Sequence, residues 1–160
     1  MRVSELMNPR VAKVGPTTPL AEILELMLRS HLNDVVVVDR KDKLLGIVTY
    51  GDLSRRLLPT QQELVEHEEY LIDPGLMEDR VEDIVNVPVE EIMTRKVIAV
   101  SPESHAIKAG ALMTARHVKQ LPVVQGDKLV GMISHTDIGW GLLMRYGQCT
   151  ARKPAAASTR

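Results

Sequence analysis

Residues 34–53 read DVVVVDRKDKLLGIVTYGDL, and residues 120–138 read QLPVVQGDKLVGMISHTDI. The second stretch repeats the first with one residue deleted in the turn. Each holds an apolar run, a polar turn and a second apolar run. A hydroxyl residue follows, then an aspartate three positions on. Working outward, the correspondence extends over residues 3–53 and 89–138. Met7 returns as Met93, Val11 as Val97, Val14 as Val100 and Pro16 as Pro102. Leu26-Met27 returns as Leu112-Met113, and His31 as His117. An internal repeat decides the architecture before any local reading does. A unit of about fifty residues has a marginal core when it stands alone. Two copies stacked together solve that problem and create a cleft where paired ligand sites can arise.

Within each copy the order reads β-α-β-β-α. A short helical turn and an extended stretch come first, at 11–14 and 97–100. A helix follows Pro16 over 20–30, with Leu20, Ile23, Leu24, Met27 and Leu28 at helical spacing. Its counterpart after Pro102 covers 106–116, with Ile107, Ala111, Leu112 and Met113 apolar. Two strands with a polar turn come next, at 35–38 and 44–49, then at 121–124 and 129–134. A second helix opens at Tyr50 and at His135. The runs 35–38 and 44–48 are apolar at every position, which predicts strands buried on both faces. The expected fold class is α+β, with two such repeats packed as a pseudo-twofold module. The expected divisions are repeat one at 1–58, a helical linker at 59–88, repeat two at 89–146 and a flexible tail at 147–160. In the linker, 61–72 reads as an amphipathic helix with Leu64, Val65, Leu71 and Ile72 on one stripe. Asp73-Pro74-Gly75 signals a turn, and 76–85 a second helix. The many linker acids read as a solvated face, or alternatively as a docking surface.

Composition narrows the function. An apolar content of 44% with 26% charged residues is that of an ordinary globular protein. A net charge of −1 gives no general attraction to nucleic acid or to an acidic membrane. Trp140, Tyr50, Tyr70 and Tyr146 are the only aromatic residues, too few for a base-stacking platform. The single cysteine, Cys149, cannot form an internal disulfide, which fits a reducing compartment. No apolar run reaches membrane-spanning length, and no signal pattern opens the chain. The expected location is the cytoplasm, with no membrane or nucleic-acid partner. None of the five histidines forms a metal-spaced pair, so no metal site is expected. No nucleophile-base constellation or glycine-rich phosphate loop is present, so there are no catalytic candidates and no enzyme is expected.

The most specific signal closes each repeat: Gly46-Ile-Val-Thr49-Tyr-Gly-Asp52 and Gly131-Met-Ile-Ser134-His-Thr-Asp137. One reading is structural. Ser/Thr-x-x-Asp before an apolar run is a helix capping box, with the hydroxyl residue at the N-cap and the acid in the first turn. The other uses the same geometry for binding. A helix N-terminus suits a phosphate, and a carboxylate nearby can accept from a ribose diol. Capping and binding are compatible.

The repeat resembles the CBS domain, and the chain resembles a tandem CBS pair, or Bateman module. The resemblance rests on Val-x-Glu-Leu/Ile-Met, Val-x-x-Val, a helix ending Leu-Met, the Val/Pro-Val-Val strand and Gly-h-h-Thr/Ser-x-x-Asp. It covers about 3–58 and 89–146. It implies a regulatory module that binds an adenosine-containing nucleotide between the repeats and signals by a change of shape or assembly. The ligand would be AMP, ADP, ATP, NAD or S-adenosylmethionine, with no cofactor required. The implied ligand residues are Thr49 and Asp52, Ser134 and Asp137, with Val11, Ala12, Val97 and Ile98 lining the base. Residues before the strand can reach phosphate in this family. Lys119 stands there in repeat two, and Asn33 in repeat one, so unequal sites are expected. Repeat one also lacks the strand proline present as Pro122. A homodimer is implied too, helped by the small residues Ala109, Gly110 and Ala111. The alternative is an unliganded interaction module that dimerises or docks on an effector protein.

Overall fold

The protein is described by a computed structural model over residues 1–73 and 75–147. Cys149, most of the 147–160 tail and Pro74 of the linker turn lie outside the described residues. The strands are β1 (Lys13–Val14), β2 (Asp34–Val38), β3 (Leu44–Thr49), β4 (Gln120–Gln125) and β5 (Lys128–Ser134). The helices are α1 (Leu20–Ser30), α2 (Tyr50–Leu57), α3 (Gln61–Glu66), α4 (Gly75–Val85), α5 (Ala106–Ala115) and α6 (His135–Tyr146). Short 3-10 turns at Val3–Glu5 and Val89–Glu91 open the two repeats. The class is α+β, as expected.

The chain forms two compact units, and neither is a contiguous repeat. One gathers Met1–Ala12, Arg40–Leu44 and the described chain from Lys96 onward. The other gathers Lys13–Asp39 and Leu45–Arg95. Each repeat therefore lends its opening segment to the unit built on the other repeat.

The physical cause is a backbone register that recurs in both units. In the first, Val3 N–H donates to the Ser104 carbonyl at 2.9 Å and Ser4 N–H to that of Pro102 at 3.0 Å. In the second, Val89 N–H donates to the Thr18 carbonyl at 2.9 Å and Glu90 N–H to that of Pro16 at 3.1 Å. Val3 and Val89 are both fully buried by this exchange. Valine in each opening turn thus fills a core that its own repeat does not build.

In the unit holding the second repeat, β4 and β5 pair antiparallel, from Gln120 opposite Ser134 to Gln125 opposite Lys128. Helices α5 and α6 pack on this hairpin and on each other. Val100, Ala106, Ala109, Met113, Leu121, Val123, Ile133 and Ile138 form the core with Val3. The expected stretch 97–100 is reduced to one parallel bridge, Val100 to Val123. In the other unit the sheet order is β1-β2-β3, with Lys13 and Val14 parallel to Val36 and Val37. Val35–Val38 are buried at every position, as the continuous apolar run predicts. The run 44–48 differs: Gly46 and Val48 are buried, while Leu45 and Ile47 are partly covered. One face of β3 is therefore only half enclosed.

His31 and His117 both take positive φ, 51° and 53°. They end α1 and α5 in left-handed turns, with Leu32 N–H reaching back to Met27 and Val118 N–H to Met113, both at 3.0 Å. The linker also departs from expectation. Its first helix stops at Glu66, His67 turns out of helical geometry at φ −133° and ψ 73°, and a 3-10 turn follows. Val65, Leu71 and Ile72 are 73%, 72% and 82% exposed, so they form no buried stripe.

Candidate functional site

Each candidate site begins at a glycine on which another segment presses. A methyl at Gly46 would lie 2.5 Å from Met93 Sδ and 3.1 Å from the Thr94 carbonyl oxygen. At Gly131 it would lie 3.0 Å from both Met7 Sδ and the Asn8 carbonyl oxygen. The opening segments run there as isolated bridges, Ile47 with Thr94 and Asn8 with Met132. This explains why the motif starts with glycine and why Met7 and Met93 recur. Both methionines pack on those glycines; Met93 is also buried, and Met7 packs against the core that holds Val3.

The strand then ends in a cap. Ser134 N–H donates to Asp137 Oδ2 at 2.9 Å, Ser134 Oγ donates to the same oxygen at 2.7 Å, and Asp137 N–H donates to Ser134 Oγ at 3.1 Å. Thr49 and Asp52 repeat this arrangement at 2.9, 2.7 and 3.2 Å. The capping reading is therefore realised in both copies, and the four residues are held partly buried. The carboxylate sits over the first turn, where helix N–H groups favour negative charge.

The backbone before each strand closes the same corner. The Lys119 carbonyl accepts from His135 N–H at 3.2 Å, and the Asn33 carbonyl accepts from Tyr50 N–H at 2.8 Å. Lys119 is exposed beside the Ser134 cap. Val11, Ala12, Val97 and Ile98 are partly buried and outside regular strands. These four lie in the same compact unit as Lys119, Ser134 and Asp137, whereas Thr49 and Asp52 lie in the other.

Two residues escaped the sequence reading. Arg55 pairs through its guanidinium with Asp52 Oδ1. Its counterpart in the second repeat is Trp140, which follows Asp137 by the same three residues. Trp140 lines a groove of about 660 Å³ together with Glu5, Leu6, Met7, Asp137 and Arg145. The signal was helical spacing: three residues beyond an acid lies on the same helix face. The backbone N–H of Arg2 holds the Glu5 carboxyl below its ordinary value, and the Arg145 charge adds to this. In the other unit a hollow of about 320 Å³ lies beside the Thr49 cap, lined by Leu24, Leu28, Leu32, Asn33 and Tyr50. It is largely apolar. At the matching place in the second repeat, Thr114 Oγ1 and His135 Nε2 stand 3.3 Å apart instead of Leu28 and Tyr50. The two repeats share the cap but differ in what surrounds it.

Among the described residues, no three His, Cys, Asp or Glu side chains are grouped to hold a metal. No helix among them is long and apolar enough to cross a membrane. Of the small residues of α5, Ala109 is buried, a methyl at Gly110 would meet Ile138 at 3.3 Å, and Ala111 is exposed.

The CBS domain family matches residues 3–59 and 89–138. The structure resembles that of CBSX2 from Arabidopsis thaliana, solved in complex with AMP, at 22% identity and a TM-score of 0.69. That match covers 90% of this chain and 97% of CBSX2. It also resembles the CBS domain pair of protein MJ0100, solved with 5′-methylthioadenosine and S-adenosyl-L-methionine, at 19% identity and a TM-score of 0.65. Here 91% of this chain and 98% of the other are covered. In sequence the chain is 29% identical over 140 residues to arabinose 5-phosphate isomerase KdsD of Yersinia pestis, using 86% of this chain. The chain spans 36% of that isomerase and 18% of chloride channel protein CLC-f of Arabidopsis thaliana.

Proposed function

We propose that this chain, which belongs to the CBS-domain family, is a regulatory module that binds an adenosine-containing nucleotide and carries out no catalysis. The observation that supports this most is the duplicated cap. Each repeat holds a carboxylate and a hydroxyl at a helix N-terminus, bonded to one another and next to a groove or hollow. Such a corner can take a phosphate oxygen on helix N–H groups and a ribose diol on the carboxylate. CBSX2 bound to AMP and MJ0100 bound to S-adenosyl-L-methionine support the adenosine class.

The Ser134–Asp137 site is the stronger of the two in this reading. Val11, Ala12, Val97, Ile98 and Lys119 share its unit. The module acts in the cytoplasm as a homodimer, and binding changes its shape or assembly. The apolar side chains offered to a second copy are Leu28, Ile107, Leu143 and Tyr146, all more than half exposed. Calorimetry with AMP, ADP, ATP, NAD and S-adenosylmethionine on the wild type and on Asp137→Ala tests the reading. Binding that is lost in the variant supports it. A panel in which nothing binds rejects it.

A second reading has its own support. Both capping boxes are complete without a ligand. A module that only dimerises or docks on an effector protein would keep them for stability alone. It predicts a concentration-dependent mass with no heat from any nucleotide.

A further inference from the structure

We infer that the linker between the repeats is a docking surface for a basic amphipathic segment of a partner protein. The segment is shaped by its own hydrogen bonds. Thr60 caps α3, with Glu63 N–H donating to Thr60 Oγ1 at 3.2 Å and Thr60 N–H to Glu63 Oε2 at 2.7 Å. His67 then breaks the helix and pairs with Glu69 at 3.0 Å. Asp73 Oδ1 accepts from Gly75 N–H at 2.9 Å and starts α4, which packs against α1 and α2. Leu64 and Tyr70 turn partly inward. Val65, Leu71 and Ile72 are held outward instead.

A single exposed apolar residue needs no explanation. Three within eight positions, each more than 70% exposed, offer a partner apolar area that the described residues leave uncovered. Its chemistry is one-sided. Glu66, Glu68, Glu69 and Asp73 are exposed around these three. The sequence holds no Lys or Arg between Arg56 and Arg80. A fitting partner buries apolar side chains here and brings cations to the rim, as a basic amphipathic helix does. The same field repels an acidic membrane or a nucleic acid. It also opposes a second copy meeting through this face, since acid would oppose acid.

Docking here does not depend on nucleotide binding, which a titration of AMP on the same sample reports separately. The probe is a fluorescent synthetic helix of Leu and Lys with leucines at helical spacing, titrated with the full chain and followed by anisotropy. Saturable binding is expected, weakening with added salt. A Val65→Ser, Leu71→Ser, Ile72→Ser variant should raise Kd by roughly tenfold or more. A Glu66→Gln, Glu68→Gln, Glu69→Gln variant, independent of the first, should flatten the salt dependence. Thermal melts of both variants check folding. Equal binding of a Leu and Glu helix, or of acidic lipid vesicles, overturns the inference. So does unchanged affinity in a folded Ser variant. A wild-type dimer that the Ser variant dissociates would identify a self-interface and overturn it as well.

Discussion

Asp137→Ala removes the acceptor on which the α6 cap depends. Its Oδ2 takes both the Ser134 N–H and the Ser134 hydroxyl. Ser134 Oγ still caps the residue 137 N–H, so only the reciprocal half of the box is lost; its hydrogen bonding is worth about 0.5–1.5 kcal/mol, and the first-turn charge about 0.3–1 kcal/mol. The corner is only partly buried, so water recovers some of the orphaned bonding. The expected cost is about 2 kcal/mol, or roughly 4–8 °C in Tm for a chain of this size. Asp137→Asn keeps one acceptor for the Ser134 N–H and loses the charge, so it should cost about half as much. Urea unfolding followed by circular dichroism, with and without AMP, reads both roles of the residue. A ligand at one hundred times its Kd adds about 2.7 kcal/mol to the wild type. That increment should vanish in Asp137→Ala. A stability loss below about 0.5 kcal/mol would refute the capping argument. A stability loss with the AMP increment intact would refute the ligand role and leave the cap.

Three further outcomes follow from the same geometry. Gly131→Ala should lose about 1–3 kcal/mol, because its methyl meets the Asn8 carbonyl oxygen at 3.0 Å and the backbone must move; denaturant midpoints for the variant check this, and a neutral effect would contradict the close approach. Lys119→Ala should weaken AMP binding by roughly tenfold or more, the worth of a charge-assisted hydrogen bond, while Asn33→Ala should not; calorimetry on the pair decides, and the opposite order would move the stronger site to Thr49 and Asp52. Glu5, held below its ordinary value mainly by the Arg2 N–H, contributes stability that is present above the unfolded carboxyl pKa and lost as pH falls through the lower folded value. Carboxyl-detected NMR titration should place its midpoint below that of a free glutamate, and Glu5→Gln should remove this acid-side dependence.

Whatever depends on neighbours in sequence was legible from residue order. The duplication, the starts of α2 and α6, the turn between β4 and β5 and both capping boxes all follow from spacing within a few residues. Val35–Val38 announced a buried strand because four β-branched residues in succession leave no polar face. The linker misled for a related reason. Leu64, Val65, Leu71 and Ile72 share a helical stripe only if the helix continues, and His67 ends it. Helical periodicity carries no information on whether the next turn is taken.

Tertiary structure decided the rest, through contacts between residues far apart in the chain. Nothing near Gly131 in sequence shows that Asn8 will press against it, or that Met93 will fill the space at Gly46. Nor does any local pattern show that Val3 packs with the second repeat and Val89 with the first. The two opening segments carry the same residue pattern, Val-x-Glu-Leu/Ile-Met. Which core each joins depends on the path of the whole chain, and residue order within one repeat does not record that path. The surroundings of the two caps are fixed in the same way. Asp52 meets Arg55, and Asp137 lines a groove together with Leu6 and Met7 from the start of the chain. A carboxylate in a helix's first turn is written in the sequence; what it faces depends on which distant segment folds against it.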